Sequence, residues 1–186
     1  MSDTSAISAA AHAATARAED DRAGGLCSFP DPVNEVSARL VAGGVVLLSA
    51  ATIALDQRWL TAVIAYGFLA RVASGPTLSP LGQLVTRAIV PRLPVAARPV
   101  PGPPKRFAQA IGATFSVTAA VLALGFGLST AAYAVLGALI AAATLESVFG
   151  VCLGCKAFAL LMRAGVIPQE VCERCANIAI EPLGPA

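Results

Sequence analysis

The sequence is poor in charged residues and in aromatic ones. Only 13% of its 186 residues are Asp, Glu, Lys or Arg, 5% are aromatic, and 56% are hydrophobic. Soluble proteins carry about 25% charged residues. No charged residue occurs between Phe107 and Leu145, a run that fits two membrane helices of about 20 residues each. The composition therefore predicts an integral membrane protein, whose first partner is the lipid bilayer.

Several kinds of functional site are also missing. His12 is the single histidine, so the Ser-His-Asp arrangement of hydrolases has no base near the apolar segments. There is no glycine-rich loop of the kind that holds phosphates. The net charge is only +2, and the basic residues lie among prolines without interleaved aromatics, which argues against nucleic-acid binding. These absences also argue against an enzyme.

Residues 1–30 contain no long apolar run. They are rich in Ala, Ser and Asp and lack the basic and then hydrophobic order of a signal peptide, so we expect an uncleaved, disordered tail. His12 is expected to be solvated there, and Cys27 to be a free thiol without an assigned role.

Four apolar segments predict an all-α membrane domain over residues 31–151. The predicted spans are 36–55, 59–73, 107–128 and 131–151. The second contains Arg71 and has only fifteen residues, which could cross the bilayer or re-enter it. The proline-rich loop 74–106 carries five basic residues and no acid. The positive-inside rule therefore places this loop and both termini on the cytoplasmic side of the cell (inner) membrane.

The two halves of this domain have the same order of elements. At an offset of 72 residues, Pro32 aligns with Pro104 and Leu81-Gly82 aligns with Leu153-Gly154. Each half then contains two spans and a helix that lies in the membrane interface. The predicted fold is four transmembrane helices as two parallel two-helix repeats, each followed by an interfacial helix.

Four of the five cysteines form two CxxC pairs. Cys152 and Cys155 are separated by sixteen residues from Cys172 and Cys175, and together they define a double-CxxC module at 152–180, before a short tail at 181–186. Four thiolates at this spacing are typical of a structural zinc site. An iron–sulfur cluster would use the same four ligands. We therefore expect a metal-binding scaffold in thiol or sulfur handling.

Other interpretations of the cysteines stay open. Cys152 and Cys155 could act alone as a redox dithiol, or carry a persulfide, in exchange with a soluble thioredoxin-like partner. A stable disulfide is not expected in the reducing cytoplasm. The cysteines could also be inert small residues at a helix end. A homodimer of the parallel repeats could instead surround a pathway for a small sulfur species.

Two charged residues fall within the predicted spans. Counting about 1.5 Å per residue, Arg71 and Glu146 lie at a similar depth, closer to the cytoplasmic face. A lone charge at the bilayer centre costs about 2.5–3.5 kcal/mol. We therefore expect Arg71 and Glu146 to form an intramembrane charge pair, or each to reach the headgroups separately.

Three short segments resemble one known family. They are Phe149-Gly150-Val151-Cys152-Leu153-Gly154-Cys155, Pro103-Pro104-Lys105-Arg106-Phe107-Ala108 and Ser79-Pro80-Leu81. With them the chain resembles, over about residues 30–164, the bacterial membrane family catalogued as domain of unknown function 4395. The resemblance implies four spans, no assigned activity, and thioredoxin-like or sulfurtransferase partners. The chain departs from the family pattern at Val33-Asn34-Glu35, where an Arg would be expected.

Overall fold

The computed structural model describes residues 31–93 and 98–168, and most of that chain is helical. The predicted tails at 1–30 and 181–186 lie outside the described residues. So do His12, Cys27, Cys172 and Cys175.

In the part of the chain that the structure describes, three helices are long and apolar enough to cross a membrane. They are α1 (Glu35–Ala54), α4 (Gly102–Ala120, which continues as a π-helical turn over Val121–Gly125) and α5 (Ser129–Phe149). These helices confirm the first, third and fourth apolar segments as long helices. Asn34 begins α1, because its side chain accepts a hydrogen bond of 3.0 Å from the Val36 N–H.

Helix α4 begins five residues before the predicted boundary at Phe107. Pro103 and Pro104 stand in its first turn, where a fixed φ suits the helix and the missing N–H costs nothing. Lys105 and Arg106 are therefore helical residues and not part of the loop. This shift determines which charges meet at the membrane surface.

Helix α2 (Leu60–Ser74) has 15 residues, fewer than the roughly 20 that a bilayer core requires. It packs mainly against α4, while α1 packs mainly against α5. The α2–α4 contact is close because Gly112 lies under the ring of Phe68. A Cβ atom on Gly112 would lie 2.2 Å from a carbon of that ring. The core between the helices consists of apolar side chains, among them Ala42, Val45, Ile64, Ala113, Leu136 and Leu139.

One short helix follows α2, and another follows α5. After α2, helix α3 (Pro80–Gln83) continues as a π-helical turn over Leu84–Ile89 and a 3-10 turn over Val90–Arg92. After α5, helix α6 (Leu153–Arg163) is a regular amphipathic helix. The order of two longer helices and one short helix therefore occurs twice along the chain.

Helix α6 lies across the beginning of α4. Its buried residues Phe158 and Met162 pack against Phe107, and the Phe107 and Phe158 ring centroids are 5.5 Å apart. Gly154 permits the crossing, since a Cβ atom there would lie 2.5 Å from the Ala108 Cα.

The end of the proline-rich loop is tied to the beginning of α1. Strands β1 (Val33–Asn34) and β2 (Pro99–Val100) form a short antiparallel ladder. The Gly102 N–H also donates a hydrogen bond of 3.0 Å to Asp31 Oδ1. These contacts hold the first turn of α4, with Lys105, beside the first turn of α1.

Candidate functional site

Cys152 and Cys155 lie together where α5 passes into α6. Gly150 ends α5 with a left-handed φ of 68°, and the chain then turns so that Cys152 becomes the N-cap of α6. Cys155 is the third residue of the helix, and the side chains of an N-cap and a third helical residue lie close together. Cys152 is buried, Cys155 is half-buried, and both are free thiols.

The two thiols differ in acidity. A hydrogen bond from the Cys155 thiol lowers the pKa of Cys152, and the Lys105 ammonium assists this effect, whereas burial and the Glu146 carboxylate oppose it. The same hydrogen bond and burial raise the pKa of Cys155 well above its usual range. Because the thiolate is the nucleophilic form of a cysteine, these opposite shifts make Cys152 the more acidic thiol of the pair and the better candidate for a nucleophile.

Glu146 forms an ion pair with Lys105, at 2.7 Å between Oε1 and Nζ. The prediction that Glu146 pairs with Arg71 is therefore wrong as to the partner. The physical reason is the early start of α4, which places Lys105 on the helix surface that faces the last turn of α5. The Lys105 and Glu146 side chains are 9% and 17% exposed, so the pair is largely shielded from water.

Arg71 is held by neutral groups. Its Nε donates to Gln109 Oε1 at 2.9 Å and its Nη1 donates to Ser79 Oγ at 3.2 Å. Its guanidinium carbon lies 4.4 Å from the Phe68 ring centroid, in cation–π geometry. The residue is 5% exposed, so the prediction that it reaches the headgroups separately is also wrong.

A cavity of about 340 Å³ lies among the long helices and α6, and we call it the central cavity. Arg71, Gln109, Glu146 and Cys152 line its polar end. The other walls are mostly apolar and include Val45, Phe68, Ile111, Phe115 and Leu139. A second cavity, of about 220 Å³, borders Arg71, Lys105 and Gln109 on the side of β1. The polar end can therefore hold a charged group next to Cys152.

Sequence reasoning missed Lys105, Gln109 and Ser79. Gln109 offered a signal, because it is the one amide in the uncharged run and stands one helical turn after Lys105. Ser79 offered none, since its contact with Arg71 depends on the turn between α2 and α3.

The predicted four-thiolate site falls partly outside the described residues. Cys152 and Cys155 are placed together, whereas Cys172 and Cys175 are not described. Within 31–93 and 98–168 no group of three or more His, Cys, Asp or Glu side chains is arranged to hold a metal ion. The zinc and iron–sulfur interpretations therefore stay predictions.

No curated protein and no solved structure matches this chain. The family model described as Domain of unknown function (DUF4395) matches residues 33–163. The matched range contains Arg71, Lys105, Glu146 and the first CxxC pair, and it ends before Cys172. It covers well over half of the sequence, and the chain therefore belongs to the DUF4395 family.

Proposed function

We propose that this protein is a membrane-bound dithiol that exchanges disulfides with a soluble thioredoxin-like partner. One observation carries the proposal: Cys152, the N-cap of α6, lines the polar end of the central cavity, and Cys155 lies in the first turn of the same helix. The Lys105–Glu146 ion pair borders them, and its two charges act on the Cys152 thiolate in opposite directions: the ammonium favours the thiolate and the carboxylate disfavours it. A reactive thiolate and a protonated second thiol are the two groups that disulfide exchange requires.

The exchange follows from this asymmetry. The Cys152 thiolate attacks one sulfur of the partner's disulfide, forms a mixed disulfide, and releases the other partner sulfur as a thiolate. Cys155 then gives its proton to water and attacks the Cys152 sulfur. A Cys152–Cys155 disulfide forms, the second partner sulfur leaves as a thiolate, and two electrons have passed to the partner. The reverse reaction uses the same steps with a reduced partner.

The topology that we propose for this function has four spans and both termini in the cytoplasm of the cell (inner) membrane. The packing supports it. In the proposed repeat, α1 corresponds to α4 and α2 corresponds to α5. The contact between α2 and α4 then has its counterpart in the contact between α5 and α1. These two contacts are the most extensive ones between helices of the described chain. Two parallel two-helix repeats produce such a pair of equivalent helix contacts. The five basic residues of 74–106, two of which lie at the beginning of α4, favour the cytoplasmic side for this part of the chain, and Cys152 would then face a soluble partner.

A zinc-binding scaffold is the second candidate. The observation that favours it is the sixteen-residue spacing from Cys155 to Cys172, which suits four thiolates around one ion. On this proposal Cys152, Cys155, Cys172 and Cys175 converge, with sulfurs within about 4 Å of one another, as a Zn–S length of about 2.3 Å requires. Metal analysis of protein purified without reducing agent separates the two candidates, since a dithiol needs no bound metal. Persulfide exchange with a sulfurtransferase partner would use the same Cys152 thiolate.

Trapping of the mixed disulfide tests the proposal. The full-length Cys155→Ser variant, incubated with a single-cysteine thioredoxin whose remaining sulfur carries a thionitrobenzoate group, should accumulate a covalent complex through Cys152 and release thionitrobenzoate, because neither protein keeps a second thiol beside the mixed disulfide. Cys152→Ser should give none, and Cys27→Ser is the matched control that should behave as wild type. A complex that persists in Cys152→Ser, or its absence in Cys155→Ser, would contradict the proposed exchange.

A further inference from the structure

We infer that the polar end of the central cavity binds the negatively charged head of a small organic anion at Arg71. The apolar walls of the cavity would hold the hydrocarbon body of the same molecule. Cys152 lines the same polar end, but the anion contacts Arg71 and not the thiol, so the inference goes beyond the disulfide exchange proposed above.

The charge of Arg71 supports an anion site. Arg71 is 5% exposed, and a buried cation is costly unless an opposite charge faces it. Its hydrogen-bond acceptors, Gln109 and Ser79, are neutral. Glu146 attracts Arg71 through space, but its carboxylate is bonded to Lys105. With Cys152 uncharged, as in a Cys152–Cys155 disulfide, the three ionisable groups Arg71, Lys105 and Glu146 carry a net charge of +1, which one bound monovalent anion would neutralise.

The hydrogen-bond donors of the Arg71 guanidinium also support an anion site. Arg71 uses Nε and Nη1 for its bonds to Gln109 and Ser79. Within the described part of the chain, Nη2 donates to no protein acceptor. Arg71 lines both cavities, so a ligand in either cavity lies next to the residue that carries this unused donor. A guanidinium presents its N–H groups as a planar fork that fits a carboxylate.

The apolar walls of the central cavity support a ligand with a hydrocarbon body. Beyond the polar end, the central cavity is surrounded by Val45, Phe68, Ile111, Phe115 and Leu139. A volume of about 340 Å³ lies in the range of small-molecule sites and exceeds what an inorganic ion needs. A carboxylate on a short hydrocarbon chain satisfies both the cation and these walls. The carboxylate could come from a soluble acid or from a fatty acid of the bilayer, and the chain length that binds best distinguishes the two.

A series of straight-chain carboxylates tests the inference in the full-length protein, reconstituted in phosphatidylcholine nanodiscs. Binding is measured by titration calorimetry from acetate to octanoate, with the heat of protein-free nanodiscs subtracted. The affinity should rise about fourfold for each added methylene that becomes buried, and then level off when the cavity is filled. A rise that continues to palmitate would identify a bilayer fatty acid, whereas a plateau at a short chain would identify a soluble acid.

Four comparisons keep the test independent of folding. Hexanamide, which lacks the charge, should bind at least tenfold more weakly than hexanoate. Arg71→Gln should abolish hexanoate binding, while Arg98→Gln, at an exposed arginine, should not change it. Glu146→Gln leaves Lys105 unneutralised and should tighten binding. Ala142→Leu fills part of the cavity and should shorten the chain length at which affinity levels off.

Two results would overturn the inference. One is an affinity that does not depend on chain length in wild type, and the other is hexanoate binding that persists in a folded Arg71→Gln variant. The double variant Cys152→Ser, Cys155→Ser should still bind hexanoate. Failure of the disulfide exchange and failure of the anion site are therefore separate outcomes.

Discussion

Lys105 Nζ and Glu146 Oε1 lie 2.7 Å apart, although 41 positions separate the residues in the chain. The contact joins the first turn of α4 to the last turn of α5, six residues before Cys152. Because α6 begins at Cys152 and packs against α4, this ion pair fixes two of the three helix ends around the cysteines. It also provides the cation that acts on the Cys152 sulfur.

The first prediction concerns that ion pair. Lys105→Gln and Glu146→Gln should each lower the free energy of unfolding, because each leaves an uncompensated charge. The loss is about 3–5 kcal/mol in a fully buried pair and should be smaller here, where the Glu146 side chain is 17% exposed. The double variant should lose less than the sum of the single variants, as measured by unfolding of the solubilised protein.

Two control cycles sharpen this test. Lys156→Gln combined with Glu146→Gln should be additive, since Lys156 is exposed on α6. The double variant Arg71→Gln, Glu146→Gln should show a smaller coupling energy than the double variant Lys105→Gln, Glu146→Gln. Coupling of Arg71 that equals or exceeds that of Lys105 would restore the original expectation of an Arg71–Glu146 pair.

The second prediction concerns the close approach of α2 and α4. Gly112→Ala places a methyl group 2.2 Å from the Phe68 ring and should destabilise the fold by about 1–3 kcal/mol. Gly137→Ala in α5 is the matched control, because no atom lies within 4 Å of its added Cβ. That control should be neutral or stabilising by about 0.5–1 kcal/mol. Thermal unfolding of both variants provides the measurement, and equal effects would refute the α2–α4 contact.

The third prediction concerns topology. A single cysteine at position 129, in a cysteine-free background, should react with an impermeant maleimide added to intact cells. A single cysteine at position 98 should react only after permeabilisation, because the basic loop is expected in the cytoplasm. The opposite labelling pattern would place Cys152 and Cys155 on the outer side and would remove the cytoplasmic partner from the account.

Hydropathy predicted the long helices, and the missed features depend on geometry that hydropathy does not contain. Lys105 and Arg106 looked like loop residues because charge ends an apolar run, yet two prolines allowed α4 to start before them. The β1–β2 ladder has two residues per strand, too few for an alternating pattern, and includes Pro99. The CxxC pair was visible as a motif.

The partner of Glu146 could not be predicted from depth alone. Arg71 and Glu146 do lie near the same cavity, as their similar depth suggested. The rotation of each helix about its axis decides which cation reaches the carboxylate, and packing at Gly112 and Gly154 fixes that rotation. Such contacts join residues that are distant in sequence and leave no periodic signal.

The fourth prediction follows from the pKa values of the two thiols. The rate of Cys152 alkylation by iodoacetamide should reach half its maximum at a lower pH in the folded protein than in the denatured protein, because the fold lowers the pKa of Cys152. Cys155→Ala removes the hydrogen bond that lowers this pKa, so the midpoint should rise. Lys105→Gln should shift it in the same direction. Mass spectrometry of the modified peptide gives the rate, and an unchanged midpoint in Cys155→Ala would exclude the hydrogen bond.

A redox titration of the purified protein tests the central claim most directly. The protein is equilibrated in glutathione buffers of graded potential, alkylated, and mapped by mass spectrometry. The account predicts a Cys152–Cys155 disulfide that forms in one two-electron transition and persists when Cys172 and Cys175 are replaced by serine. No Cys152–Cys155 disulfide at any potential, together with one zinc ion per chain that is lost when any of the four cysteines is replaced, would contradict it.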